Sequence, residues 1–172
     1  MADDGFASVA FDSTGELVAA GGAIGPVRVW RVEDQRPAFP PLSGHTGLST
    51  GAAFDSEGAF LATTDVLGET RLWDPATGLP YGDGLLASNR PVPLESDVEF
   101  PFLPLRNAFS PDGKHLATGG FDRFAMLWDV DPPVWRRRAC AIAGRNLTRE
   151  EWKLYLPAGT VYRATCQEWP PR

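Results

Sequence analysis

The sequence contains no apolar run close to the ~20 residues that a membrane-spanning helix requires. Its first residues, MADDGFASVAFD, lack a basic stretch followed by an apolar one, so no secretory signal is expected. Lys and Arg (16) are outnumbered by Asp and Glu (22), and phosphate contacts need clustered cations. We therefore expect a cytoplasmic protein with neither membrane nor nucleic-acid partners.

Cysteine and histidine are scarce, with two of each in 172 residues. Cys140 and Cys166 fit no zinc-binding spacing, and no histidine pair lies near them. In a reducing cytoplasm they are expected to be buried thiols, and a disulfide that staples the C-terminal tail is the alternative. No metal site or cofactor is predicted.

Signatures of catalysis and nucleotide binding are also missing. The segment 113–115, Gly-Lys-His, lacks the upstream glycine and the following Ser or Thr of a phosphate-binding loop. No nucleophile elbow or pair of catalytic carboxylates accompanies His45 or His115. His45 is better explained by a structural hydrogen bond. We predict no catalytic residue and no enzyme activity.

What the sequence does contain is a repeat. Three phenylalanines each precede a tryptophan by 19 residues: Phe11 and Trp30, Phe54 and Trp73, Phe109 and Trp128. The repeats start 43 and 55 residues apart, and the last two end in Trp-Asp. Spacing of this size favours a repeat architecture, and the Trp-Asp ending favours the blades of a propeller.

Each repeat predicts three strands joined by tight turns. The sequence Asp-Ser-Glu-Gly at 55–58 has the Asp and Gly preferences of a type I turn, and 12–15 and 110–113 match it. The second strands are short and apolar, which is typical of strands buried on both faces. A proline-containing fourth strand is expected at the outer edge, near 38–42 and 79–86.

Between the second and third repeats lies an insertion, 88–104, with four prolines and three acidic residues. Proline keeps such a segment extended, so it is expected to be a loop on one face of the propeller. It is either a tolerated surface insertion or a loop that contacts a partner.

Beyond the third repeat the pattern becomes helical. In 134–144, Trp135, Ala139 and Ile142 are spaced i, i+4, i+7, which predicts a short amphipathic helix that ends at Gly144. Its three arginines, 136–138, form either a solvated helix face or a contact with an acidic partner.

A second helix is predicted to start at Thr148, because Thr148 and Glu151 have the spacing of a capping box. It should end before Pro157. The following segment, 160–166, is interpreted as a strand that could complete the last blade.

The repeats resemble the WD-repeat family of β-propellers over residues 6–130. That family has Gly-His before the first strand, an Asp in the turn before the third strand, and a Trp that ends the third strand. These positions are matched at Gly44-His45, at Asp122, and at Trp30, Trp73 and Trp128. Leu67 and Ile24 stand at the Asp position of repeats 2 and 1, so no repeat is expected to carry the full polar set. The blades should then depend on apolar packing.

The tail is similar to the extreme C-terminus of large actinobacterial WD-repeat proteins, many of which resemble multidomain signalling NTPases. This resemblance implies a bacterial protein and the last three blades of a longer propeller. The predicted fold is mainly β. A partial, open propeller spans 1–131, with blades at 6–42, 48–86 and 105–130. A two-helix tail, 132–172, is expected to pack on the last blade, with Trp135, Ile142, Trp152 and Tyr155 as its apolar surface.

The function that the resemblance implies is a non-catalytic protein-interaction, scaffold or sensor module of a larger WD-repeat signalling protein. The alternative is a truncated gene remnant or regulatory fragment that only associates with other propellers. A protein or peptide partner would meet the loops, where the candidate contact residues are Arg90, Glu95, Asp97, Glu99 and Arg123. Three blades should not close a ring alone, so self-association through exposed blade edges is also expected.

Overall fold

The computed structural model describes residues 6–22, 26–86, 106–119, 125–156, 159–167 and 169. In these residues the strands are β1 (Phe6–Phe11), β2 (Leu17–Gly22), β3 (Arg28–Arg31), β4 (Ser49–Phe54), β5 (Leu61–Asp65), β6 (Glu69–Trp73), β7 (Leu85–Leu86), β8 (Arg106–Phe109), β9 (His115–Gly119) and β10 (Ala125–Asp129). The helices are α1 (Pro132–Ala143) and α2 (Arg149–Tyr155). The chain divides into two compact units, Met1–Asp129 and Val130–Arg172.

The first unit consists of three antiparallel sheets, one for each repeat. Their strand orders are β1-β2-β3, β4-β5-β6-β7 and β8-β9-β10, and we call them blades 1, 2 and 3. The first strands of the blades, β1, β4 and β8, lie side by side. The prediction of a mainly β fold with three propeller-like blades and two C-terminal helices is confirmed.

Turns of the predicted type join the first two strands of each blade. In blade 2, Asp55 accepts hydrogen bonds from the backbone N–H of Phe60 (2.7 Å) and of Glu57 (3.2 Å). Gly58 ends this turn at φ +73°, in the left-handed region that glycine adopts without steric cost. The Asp-x-x-Gly sequence thus fixes the hairpin locally.

The expected fourth strands are present only as short fragments. In blade 2, β7 is two residues long, and in blade 1 the outer segment forms single bridges, Val27 with Leu42 and Trp30 with Pro37. Proline has no N–H for the ladder, so the outer segment of blade 1, with Pro37, Pro40 and Pro41, cannot pair continuously. Insertion 88–104 lies outside the described residues.

The core of the first unit lies between blades 1 and 2. It is one cluster of buried apolar side chains: Ala19, Val27, Val29, Leu42, Leu61 and Trp73. All five residues of β5 are buried, because blade 2 has a blade on each side. In β9 of blade 3, buried residues alternate with more accessible ones.

Helix α1 is confirmed, but its predicted apolar face is wrong. Ala139 is exposed and Ile142 is 88% exposed, whereas Cys140 is the buried residue of the helix. The reason is that the helix is anchored by a covalent bond at Cys140, which lies one residue away from the predicted stripe. Gly144 ends the helix at φ +63°, as predicted.

Helix α2 begins with the predicted capping box. The Glu151 N–H donates to Thr148 Oγ1 (3.2 Å), and the Thr148 N–H donates to Glu151 Oε2 (2.8 Å). Neither helix of the described chain is long and apolar enough to cross a membrane.

The strand predicted at 160–166 is wrong, because this segment is irregular. Its backbone is held by side chains instead of a ladder. Trp152 Nε1 donates to the Thr160 carbonyl (3.0 Å), and Tyr162 Oη donates to the Leu147 carbonyl (2.8 Å). Trp152 is therefore buried inside the second unit, while Tyr155 is 69% exposed.

Cys140 and Cys166 form a disulfide, so the prediction of free thiols is wrong and its alternative holds. Beside it, the buried side chain of Asn146 ties the C-terminal segment to the loop between the helices. Its Oδ1 accepts the Cys166 N–H (2.6 Å), and its Nδ2 donates to the Trp169 carbonyl (2.6 Å). The second unit is small, and its order depends on these two links.

Replacing both cysteines with serine (Cys140→Ser, Cys166→Ser) should destabilise the second unit. The bond closes a loop with a sequence separation of 26, and loop closure of this size is worth about 3 kcal/mol. Amide hydrogen exchange should accelerate in α2 and in 159–167, while the amides of β5 serve as the internal control. Unchanged exchange in the second unit would contradict this role of the disulfide.

Candidate functional site

A hydrogen-bonded group occupies the centre of blade 2. Thr63 lies in the middle of β5, where its Oγ1 accepts from Trp73 Nε1 (2.7 Å) and lies 2.6 Å from His45 Nε2. All three side chains are buried. If the Thr63 hydroxyl donates to Nε2, the imidazole proton is on Nδ1, which faces Asp65 Oδ2 at 3.5 Å. The four side chains form one connected chain of polar contacts.

Asp65 is the charged end of this group. Its Oδ1 accepts the backbone N–H of Leu67 (3.0 Å) and of Glu69 (2.9 Å), and its Oδ2 accepts that of Gly47 (2.9 Å). Burial raises its pKa, but the nearby His45 ring and the hydrogen bonds from the Glu69 and Gly47 N–H groups lower it by more, so the net pKa is below its ordinary value. The carboxylate is therefore ionised at neutral pH.

The prediction that no repeat carries the full polar set is wrong for blade 2. Asp65, two residues before Leu67, supplies the carboxylate. The prediction failed because it placed the carboxylate a fixed number of residues before Trp73. In the folded blade, the position of the side chain in space decides which carboxylate lies beside His45. Asp65 opens a turn that Gly68 closes at φ +88°, and this Asp-x-x-Gly signature was available in the sequence.

In the residues that the structure describes, blades 1 and 3 show less of this group. In blade 3, Trp128 Nε1 donates to Thr118 Oγ1 at 3.0 Å. In blade 1, Ala20, which has no hydroxyl, takes the place of that threonine. Asp122 lies outside the described residues, as do the predicted loop contacts Arg90, Glu95, Asp97, Glu99 and Arg123.

His45, Asp65 and Glu69 bring three potential metal-ligand atoms within 4.8 Å of one another. Both oxygens of Asp65 already accept backbone N–H groups, and Glu69 Oε1 pairs with Arg71 Nη2 at 2.7 Å. A divalent cation would have to displace these donors beside a guanidinium. The group is therefore explained as structural hydrogen bonding.

Other polar and concave features of the described chain have structural explanations too. His115 opens β9, and its backbone N–H donates to Ser110 Oγ (3.0 Å) in the preceding turn. In the second unit, a cavity of about 270 Å³ has a mostly apolar surface and is lined by Ala139, Ala143, Leu147, the disulfide, Arg136, Arg145, Asn146 and Thr165. Arg145 is paired with Glu151, and Asn146 is bonded to the backbone of Cys166 and Trp169. Small-molecule sites are usually larger and contain converging polar groups.

Exposed apolar side chains mark a different kind of site. Val9 and Phe11 in β1 are 67% and 63% exposed, and Leu127 in β10 is 71% exposed. They lie on blades 1 and 3, the two end blades of the first unit. Apolar surface of this kind is typical of contacts with other proteins.

Replacing Thr63 with valine should lower the free energy of unfolding by about 3 kcal/mol, because two buried nitrogens lose their shared oxygen. Thr50→Val is the matched control, since Thr50 Oγ1 is buried without a hydrogen-bond partner in the described part of the chain. Urea unfolding followed by Trp fluorescence measures both variants. Equal stabilities would contradict the role of Thr63.

The pH dependence of stability should report on Asp65. Its lowered pKa means that its contribution is complete above the ordinary value and is lost as pH falls through the lowered folded value. The stability gap between wild type and Asp65→Asn should therefore be large at neutral pH and shrink below about pH 4. Asp34→Asn, on the exposed pair with Arg31, should change little. A gap that is constant with pH would contradict an ionised Asp65.

Comparison with known proteins shows what the chain is similar to. Residues 106–129, which span blade 3, match the family model described as WD domain, G-beta repeat. Among solved structures, the chain is similar to the β-propeller domain of Myceliophteria thermophila Cps50 (Swd1), with a TM-score of 0.57 and 24% identity. No curated protein matches the chain.

The structural match covers 78% of this chain but 38% of the Cps50 domain. The chain thus corresponds to less than half of that propeller. At this identity the likeness shows the fold alone, and the family match covers one blade. The chain therefore has the fold of part of a β-propeller, and its third blade is similar to a WD repeat.

Proposed function

We propose that this chain is a non-catalytic protein-interaction module that acts as a scaffold or sensor. The observation that carries the proposal is how blade 2 uses its polar groups. His45, Thr63 and Asp65 are buried and bonded to one another or to backbone, so they support the fold. Exposed apolar side chains on the end blades are left for contacts with other proteins.

We further propose that the chain is the C-terminal part of a larger bacterial WD-repeat signalling protein. Its correspondence to 38% of a solved propeller domain supports this, because propellers usually have four to eight blades. The WD-type blade at 106–129 agrees with it.

A truncated remnant or regulatory fragment that only associates with other propellers is the second candidate. The exposure of Val9, Phe11 and Leu127 favours it, since those side chains lie where a neighbouring blade would pack.

The expected partner is a protein or peptide that meets the loops between the strands. The net charge of −6 supports partners other than nucleic acid or membrane. A cytoplasmic location stays a prediction, and the disulfide is of a kind more frequent in oxidising compartments.

Neutralising the acidic residues of the insertion 88–104, the candidate contact loop, should weaken partner binding. The variant Glu95→Gln, Asp97→Asn, Glu99→Gln removes three charges, and loss of such charges should lower affinity about tenfold. Affinity capture from the native cell identifies the partner, and titration of the purified partner measures its Kd.

The matched control removes three exposed carboxylates elsewhere, Glu16→Gln, Glu33→Gln and Glu57→Gln, and should bind like wild type. Equal weakening in both variants would assign the effect to net charge instead of the loop. Failure of any purified candidate to bind saturably would contradict the interaction module.

A further inference from the structure

Each blade has two unlike faces, which follow from strand register. Residues directly opposite one another in paired strands share a face. One face, the aromatic face, carries an aligned Phe, a branched aliphatic residue and Trp: Phe11, Val18 and Trp30; Phe54, Leu61 and Trp73; Phe109, Leu116 and Trp128. The other face, the small face, carries two alanines and one aliphatic residue: Ala10, Ala19 and Val29; Ala53, Ala62 and Leu72; Ala108, Ala117 and Leu127.

Within the chain, the aromatic face of one blade packs on the small face of the blade before it. Leu61 and Trp73 of blade 2 share one buried cluster with Ala19 and Val29 of blade 1. A hydrogen bond from the Ala52 N–H to Ser8 Oγ (3.1 Å) joins the same two blades.

Blade 3 meets blade 2 in the same orientation. Asn107, two residues before Phe109 on the aromatic face, donates from Nδ2 to Thr64 Oγ1 (2.9 Å), which lies two residues after Ala62 on the small face. Phe109 stacks on Phe60 with ring centroids 6.4 Å apart. The same interface therefore occurs twice along the chain.

The end blades expose the two halves of that interface. On the aromatic face of blade 1, Phe11 is 63% exposed and Val18 and Trp30 are half-buried. At the equivalent positions of blade 2, Phe54 is half-buried and Leu61 and Trp73 are buried. On the small face of blade 3, Leu127 is 71% exposed, whereas the equivalent Leu72 is 5% exposed. What separates these positions of blades 1 and 3 from the less exposed equivalents in blade 2 is the presence of a neighbouring blade.

The exposed aromatic face of blade 1 is complementary to the exposed small face of blade 3, but neither face is complementary to a second copy of itself. An aromatic face needs the shallow surface that alanines provide, and two aromatic faces would leave gaps or clash. Arg106 departs from the pattern of small residues, but it lies at the rim of its face, where β8 begins.

We propose that a second copy of this chain docks head to tail, with the aromatic face of its blade 1 on the small face of blade 3. Two copies then make two identical contacts and close a ring of about six blades, within the range that propellers adopt. Each contact joins unlike faces of the two copies and is therefore heterologous. Because each copy supplies one face to each contact, twofold symmetry closes the ring. This inference concerns the chain by itself and competes with the longer propeller proposed above, in which a preceding blade would cover the aromatic face of blade 1. It does not depend on loop binding, and a monomeric protein would leave the proposed interaction module intact.

Sedimentation of the purified chain should give twice the 18.7-kDa protomer mass. Leu127→Arg and Phe11→Arg each place a charge on one exposed face, and each should raise the dimer Kd at least tenfold. Both positions are exposed, so the circular dichroism spectrum should stay that of the wild type, and the thermal midpoint should equal that of wild type diluted below its dimer Kd. Leu79→Arg, at a residue 65% exposed outside both faces, is the matched control and should remain dimeric.

Mixing the two variants distinguishes head-to-tail docking from other modes. Phe11→Arg keeps its small face and Leu127→Arg keeps its aromatic face, so an equimolar mixture should form a heterodimer although each variant alone is monomeric. A dimer that only one of the two substitutions disrupts would show like faces pairing and overturn the proposal. A wild-type monomer at all concentrations, or a mass that grows without limit, would overturn it too.

Discussion

The lateral packing of one blade on the next is the interaction on which the first unit depends. A β-sheet with two apolar faces is unstable in water unless both faces are covered. Blade 2 meets this requirement, and its central strand β5 is buried throughout. Blades 1 and 3 meet it on one side only. The equivalent residues Leu72 of blade 2, 5% exposed, and Leu127 of blade 3, 71% exposed, show how much a neighbouring blade decides.

When a blade is covered on both sides, hydrogen bonds become important for its buried polar residues. Thr63 and Asp65 are buried, and an unbonded hydroxyl or carboxylate there would be costly. Their hydrogen bonds to Trp73, to His45 and to the backbone of the following turn offset that cost and hold the side chains in place. Blade 1, which is covered on one side only, has Ala20 at the threonine position.

The second unit, 130–172, is ordered by different means. It has two short helices and an irregular segment, and few of its side chains are buried. A disulfide, the bonds of Asn146 and the Arg145–Glu151 ion pair supply what a larger apolar core would otherwise provide. The hydrogen bond from Arg145 and the Thr148 N–H lower the pKa of Glu151 to about 2, so the capping carboxylate stays charged across the physiological range.

The sequence alone determined the blades, because local rules govern them. The 19-residue spacing, the Asp-x-x-Gly turns and the capping box at Thr148 each involve neighbours in the chain. Tertiary structure decided what depends on distant residues coming together: Asp65 rather than Leu67 beside His45, the pairing of Cys140 with Cys166, and an irregular segment at 160–166. Spacing along the chain determines strands and turns, whereas the distances between side chains in the folded protein determine which residues bond to one another.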